Sequence, residues 1–205
     1  NCMIKAGMIR TVASVITQQW VGNSIISAED SEAYQYGLEL VLSTLLNIAA
    51  MFALSIAIRH TWLFVPYLTS FIPLRLHAGG YHAQHHSSCI LFNSVTYFVW
   101  LIAAIVLPEQ IAMCLCVIEC SLSLMFIFLF APVPARNKPI SEMERRRNRQ
   151  ISIGISSILL VLCGLSYYGD ALTSIGLRML FFGQAASTMS LLFERVLCTA
   201  AEKCK

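Results

Sequence analysis

Residues 89–107, CILFNSVTYFVWLIAAIVL, and residues 111–131, IAMCLCVIECSLSLMFIFLFA, are joined by only three residues, Pro108, Glu109 and Gln110. The first run holds no charged side chain and the second holds one, Glu119. Runs of this length match the roughly 20 helical residues needed to cross a hydrocarbon core of about 30 Å. Working outward, further apolar runs occupy 37–58, 61–74, 150–168 and 171–193. With 57% hydrophobic residues, 12% charged residues and a mean hydropathy of +0.69, too little polar side chain is present to cover a water-soluble globule of 205 residues. The expected architecture is therefore all-α: a polytopic membrane protein of about six transmembrane helices forming one membrane-embedded domain over residues 1–205. The second run is short, and Pro66 and Pro73 interrupt it, so it is expected to be kinked, tilted or partly re-entrant.

Basic residues orient these spans. Arg136, Lys138, Arg145, Arg146, Arg147 and Arg149, six of the 14 in the chain, lie between the fourth and fifth runs, in a basic segment at 132–149 that the positive-inside rule assigns to the cytoplasm. By alternation the turns at 108–110 and 168–171, which hold no Lys or Arg, fall outside. Both chain ends, with Lys5 and Arg10 at one and Arg195, Lys203 and Lys205 at the other, fall inside. The segment 75–89 then also faces the cytoplasm. The basic residues fix topology and meet anionic lipid, or dock an acidic substrate segment.

Residues 3–21 place Ile4, Met8, Val12, Val15, Ile16 and Trp20 at helical spacing among Lys5, Arg10, Ser14, Thr17 and Gln18. Within an amphipathic amino-terminal segment at 1–33, this helix is expected along the inner membrane surface, where it docks substrate, or else packed on the bundle as an ordinary helix. Ser27, Asp30, Ser31 and Glu32 supply cap-like chemistry ahead of the first span. No short apolar core with a small-residue cleavage site opens the chain, so insertion is expected to use the internal spans. Eight cysteines are scattered without framework or zinc-knuckle spacing, and seven of them read as small apolar packing residues.

Cys89 is the exception. It follows Arg75-Leu76-His77-Ala78-Gly79-Gly80-Tyr81-His82-Ala83-Gln84-His85-His86-Ser87-Ser88, a polar stretch at a membrane edge. An isolated thiol, with a pKa of about 8.5, is only slightly ionised at neutral pH; a contacting imidazole raises the reactive fraction and can later protonate a leaving amine. His82 is the better candidate base. On one straight helix the two would be separated by roughly 10 Å of axial rise, so a working dyad needs a bend between them. Gly79 and Gly80 supply backbone freedom upstream, and Ser87 and Ser88 favour a helix start just before Cys89, where the helix dipole supports a thiolate.

Four histidines in ten residues, His77, His82, His85 and His86, also admit a metal or ion pathway, although no HExxH, CxxC or carboxylate ligand set accompanies them. A plain polar loop is the third reading. Arg75 can anchor lipid phosphate, bind a substrate carboxylate, stabilise an oxyanion or merely snorkel to the interface. Two charges fall inside spans, Glu119 and Arg178, at expected depths of about 12 and 10 Å from the external ends. They are expected to pair with each other across the bundle, with a substrate or ion pathway as the second possibility.

Arg75, Gly80, His82 and Cys89, followed by a pair of spans, Ala131-Pro132 and then Lys138-Pro139-Ile140, closely resemble the AgrB-like family of quorum-sensing proteases, and the likeness covers most of the chain. The resemblance implies that Cys89 is the nucleophile and His82 its general base, with Arg75 orienting substrate and Gly80 permitting the bend. It implies a cysteine endopeptidase that removes the carboxyl-terminal part of an amphipathic AgrD-like pro-peptide and cyclises the rest, through an acyl-enzyme thioester, to a thiolactone or lactone. The expected partners are that pro-peptide, the lipid bilayer and, in a homodimer, a second copy; no nucleic acid, cofactor or metal is expected. A histidine-lined metal or ion transporter is the alternative of another class. Leu76 departs from relatives with a second basic residue there, and no role is implied for His85 or His86.

Overall fold

The computed structural model describes residues 8–79, 86–133, 141–168 and 174–203. They form α1 (Met8–Gly22), α2 (Ser31–Ala57), a 3₁₀ turn (Thr61–Leu63), α3 (Phe64–Ala78), α4 (His86–Val106), α5 (Glu109–Phe130), α6 (Glu142–Tyr168) and α7 (Ile175–Lys203). The chain is all-helical, with no strand among the described residues, and about six transmembrane helices agree with it. Among the described residues five helices, α2 and α4 to α7, are long and apolar enough to cross a membrane. The chain divides into two compact units, Asn1–Ala53 with Ala83–Ser94, and Leu54–His82 with Val95–Lys205.

In the first unit α1 and the start of α2 form a hairpin. α1 ends where Ser24 takes a left-handed φ of 54° and the Ile25 amide donates to the Trp20 carbonyl at 2.9 Å, the bond pattern that satisfies a helix's orphan carbonyls. The Ser27 hydroxyl accepts the Asp30 amide at 3.2 Å and donates to its carboxylate at 2.7 Å, as the acidic turn suggested. Trp20 meets Tyr34 edge to face at 6.5 Å, and Arg10 lies 3.9 Å from Glu39. α1 buries Ala13 and Thr17, whereas Met8, Val12 and Val15 of the apolar stripe remain exposed. Small side chains therefore mark the packed face of this helix.

In the second unit the short second run becomes the 3₁₀ turn followed by α3. Pro66 is the third residue of α3, where its missing N–H would have had no helical partner. Pro73 lies inside the helix, and the chain remains helical through it. α3 packs most extensively along α7, and the two run parallel. Trp62 lies against Gly176, Tyr67 against Gly183, and Arg75 against Ser190, so position increases along both chains together. At Gly183 an added Cβ would run into the Tyr67 carbonyl, and Ser70 Oγ donates to the Leu180 carbonyl at 2.5 Å. Such close approach is the usual basis of helix association in lipid, where there is little hydrophobic drive between helices. The 3₁₀ turn and α3 together rise about 28 Å, close to a hydrocarbon thickness.

Arginines close two helix ends. Arg178 donates through Nη1 to the carbonyls of Ala104 and Leu107 at 3.3 and 3.4 Å, satisfying the end of α4. Arg149 Nη2 donates to the Phe128 carbonyl at 3.1 Å, at the end of α5, and its guanidinium lies over the Phe128 ring. Ser141 and Glu144 form a reciprocal capping box: the Ser141 hydroxyl accepts the Glu144 amide at 3.3 Å and Glu144 accepts the Ser141 amide at 3.2 Å. α6 consequently begins at Glu142, and Arg145, Arg146, Arg147 and Arg149 stand on its first turns rather than in an extended loop.

The expected Glu119–Arg178 ion pair does not form. Glu119 is the eleventh residue of α5 and Arg178 the fourth of α7, so their depths from the helix starts are about 15 and 5 Å, further apart than the apolar runs implied. Glu119 is instead met by Ser123 Oγ at 2.5 Å and Cys120 Sγ at 3.6 Å.

Candidate active site

α4 begins at His86, three residues before Cys89, and places that thiol in its first turn, half-buried. The two serines ahead of it are thus inside the helix start rather than before it. One turn on, at the i+4 position that shares a helix face, stands Asn93, only 4% exposed. Asn93 Nδ2 donates to Cys89 Sγ at 3.5 Å and to Asn47 Oδ1, on α2, at 3.3 Å. Asn47 in turn donates through Nδ2 to the Ser43 carbonyl at 3.0 Å. A chain of side-chain amides therefore leads from the α2 backbone to the sulfur. Sequence reasoning passed over Asn93 because it sits inside an apolar run; the Cys-x-x-x-Asn spacing was the available signal.

Arg75 occupies the last turn of α3, where a cation complements the helix dipole. Its Nη1 donates to Ser190 Oγ of α7 at 2.5 Å, and its guanidinium lies 5.6 Å from the Phe71 ring centroid. It is tied into the α3–α7 interface rather than simply snorkelling to water. His77, given a possible metal role by sequence, has Nδ1 3.2 Å from Asn148 Oδ1, linking α3 to α6. Gly79 ends α3 with a φ of 82°, and an added Cβ would strike the Val133 carbonyl. Beside it the Val133 amide donates to the Ala78 carbonyl at 3.1 Å, joining the end of α3 to the chain just past α5. Leu74, Ala78, Ile127, Ala131, Val133, Leu159 and Leu191 form a buried cluster there.

Gly80, His82 and His85 lie outside the described residues. The structure thus unites Cys89 with Asn93 and Asn47, and separately unites Arg75 with Ser190. Among the described residues no group of three or more His, Cys, Asp or Glu side chains gathers to hold a metal ion. Cys116, Cys120 and Cys163 are buried on α5 and α6, consistent with packing roles.

A multi-pass helical membrane protein with a thiol in the first turn of one of its spans is the class that fold and side chains define. The chain matches the Accessory gene regulator B family over residues 9–192, and it belongs to that family. The family processes autoinducer pro-peptides in quorum sensing, which makes a membrane peptide-processing enzyme the coarse description of this chain. Neither the curated proteins nor the solved structures searched yielded a match.

Proposed function

We propose that the chain is a membrane-embedded cysteine endopeptidase that cleaves an AgrD-like pro-peptide and cyclises the product. The observation that carries this reading is the family match over 9–192, which encloses Arg75, Gly80, His82 and Cys89 in the order of the family motif. The first-turn position of Cys89, beside helix N–H groups, favours a nucleophilic sulfur there.

In the first step His82 takes the thiol proton and the Cys89 sulfur attacks the scissile carbonyl carbon. A sulfur–carbon bond forms, the carbon–nitrogen bond breaks, and His82 returns the proton to the departing amine of the carboxyl-terminal fragment. The amino-terminal part is left on Cys89 as a thioester. A thiol within the peptide then gives its proton to His82 and attacks that carbonyl, a new thioester closes the ring as the bond to Cys89 breaks, and the departing Cys89 thiolate takes the proton back from His82; a serine hydroxyl in the same place yields a lactone. Exchange of one thioester for another nearly conserves the acyl bond energy, whereas direct formation of a thiolactone from an amide is uphill. Holding the peptide thiol next to the acyl group makes closure effectively intramolecular, and exclusion of water spares the intermediate from hydrolysis. Arg75 orients the substrate and Gly80 allows the bend. The bilayer, the pro-peptide and a second copy of the chain are the partners, and the arginines on α6 support a cytoplasmic position for the loop.

The test is incubation of the bilayer-reconstituted protein with a candidate precursor and mass spectrometry of the products. The wild type should show cleavage and an adduct on Cys89. Cys89→Ala should abolish both, and His82→Ala should slow cleavage by about 10²–10⁴-fold. Normal processing by both variants overturns the reading.

A further inference from the structure

We propose that Asn93 is a positioning residue for Cys89: its side-chain amide holds the sulfur in one orientation and donates a hydrogen bond to it, while Asn47 fixes which way that amide faces. The proposal rests on the reading of Cys89 as the nucleophile.

An amide buried in an apolar helix pair is costly unless its N–H groups find acceptors, and Asn93, at 4% exposure, is such an amide. Its nitrogen has two hydrogens and two acceptors within reach, Asn47 Oδ1 at 3.3 Å and Cys89 Sγ at 3.5 Å. The opposite orientation would set the Asn93 oxygen against the Asn47 oxygen, two acceptors face to face. Asn47 cannot relieve this by turning, because its own Nδ2 is committed to the Ser43 carbonyl at 3.0 Å. The chain of amides therefore has one direction, and it ends with N–H pointing at sulfur. Ser43 with Asn47, and Cys89 with Asn93, are each one helical turn apart, so two rigid helices rather than a loop hold the arrangement.

Asn93 Nδ2–H donates to the sulfur as it becomes the attacking thiolate and again as it departs during ring closure. A donor already in place costs no reorganisation at either moment. A polar contact between α2 and α4 is the plainer use of the same two asparagines. That use predicts a loss of stability alone, whereas a positioning role predicts a loss in the chemistry of Cys89.

The full chain in bilayer nanodiscs serves for the experiment, with Asn93→Leu as the variant of similar size lacking the donor. Three quantities are read: precursor Kd, the single-turnover rate of adduct formation on Cys89, and the rate of Cys89 alkylation by iodoacetamide, followed on the Cys89 peptide by mass spectrometry. A hydrogen bond to a charged group is worth about a tenfold change in rate or more, so both rates should fall about tenfold while Kd stays within about twofold. Asn47→Leu should lose less, in the same two rates. If Asn93→Leu does not fold, Asn93→Ser and Asn47→Leu are read by the same criteria. Wild-type rates in the folded variants, or losses confined to Kd or stability, overturn the proposal. Processing by Cys89→Ala instead overturns the nucleophile assignment on which it rests, and the two failures are thereby distinct.

Discussion

Gly79 is a single residue on which two requirements meet. Its φ of 82° is a conformation that side chains rarely adopt, and the Val133 carbonyl occupies the space a Cβ would need. Gly79→Ala should therefore destabilise the protein by about 1–3 kcal/mol, read as a lower midpoint of thermal unfolding in detergent; an unchanged midpoint would show that the end of α3 adapts freely. The sequence marked a glycine pair for flexibility, but which of the two bears a tight backbone contact was not legible, because the partner lies 54 positions further along the chain. Arg178 and Glu119 repeat the lesson. Two charges of opposite sign in apolar runs suggest each other, yet helix starts at Glu109 and Ile175 set them at different depths and give each its own partners. Arg178→Met should cost about 1–3 kcal/mol by leaving carbonyls at the end of α4 unsatisfied, while Glu119→Gln should cost under about 1 kcal/mol, since the amide oxygen still accepts from Ser123. Thermal unfolding of the two variants compares them directly, and an equal loss in both would argue that the charges are coupled.

Among the elements, α3 is the one whose character the sequence left open. The run at 61–74 was expected to be a short span, kinked, tilted or partly re-entrant, and α3, fifteen residues with two prolines, is not among the five described helices that are long and apolar enough to cross. Its parallel register against α7, from Trp62 at Gly176 to Arg75 at Ser190, gives it a traverse comparable with that of its neighbour. The interface depends on Gly183, where backbone meets backbone. Gly183→Leu should push the helices apart and cost at least ~2 kcal/mol, with faster hydrogen exchange in α3 than in α5. Equal protection of α3 in variant and wild type would show that other contacts hold it. The α6 start was legible in principle, since Ser141-Glu142-Met143-Glu144 is a capping-box pattern, but the charge density of the following residues reads more readily as loop.

For the whole molecule, α4 and α5 are both long and apolar enough to cross, and if both do, the start of α4 and the end of α5 share a side whether α3 crosses or not. The bond from Val133 to Ala78 joins the flanking segments directly. In cells producing a chain otherwise free of cysteine, Ser88→Cys and Ser141→Cys should react with a membrane-impermeant maleimide only after the membrane is opened. Glu109→Cys should react in intact cells. Labelling of Ser88→Cys and Ser141→Cys from opposite sides would remove this topology. Whether α3 crosses decides only the side of the amino terminus relative to the start of α4.

The amino-acid sequence by itself determined the all-helical, apolar class, the excess of positive charge on one segment and the ordered residues that mark the family. These are sums over neighbouring residues, and hydropathy, charge and motif spacing are local quantities. Tertiary structure alone decided that α3 lies parallel to α7, that Arg178 and Arg149 close other helices' ends, that Gly79 meets Val133, and that Asn93 links Cys89 to Asn47. Each of these depends on which faces of two helices meet. That choice is made by the fit of small residues and the satisfaction of buried polar groups across distant parts of the chain, and no local sum contains it.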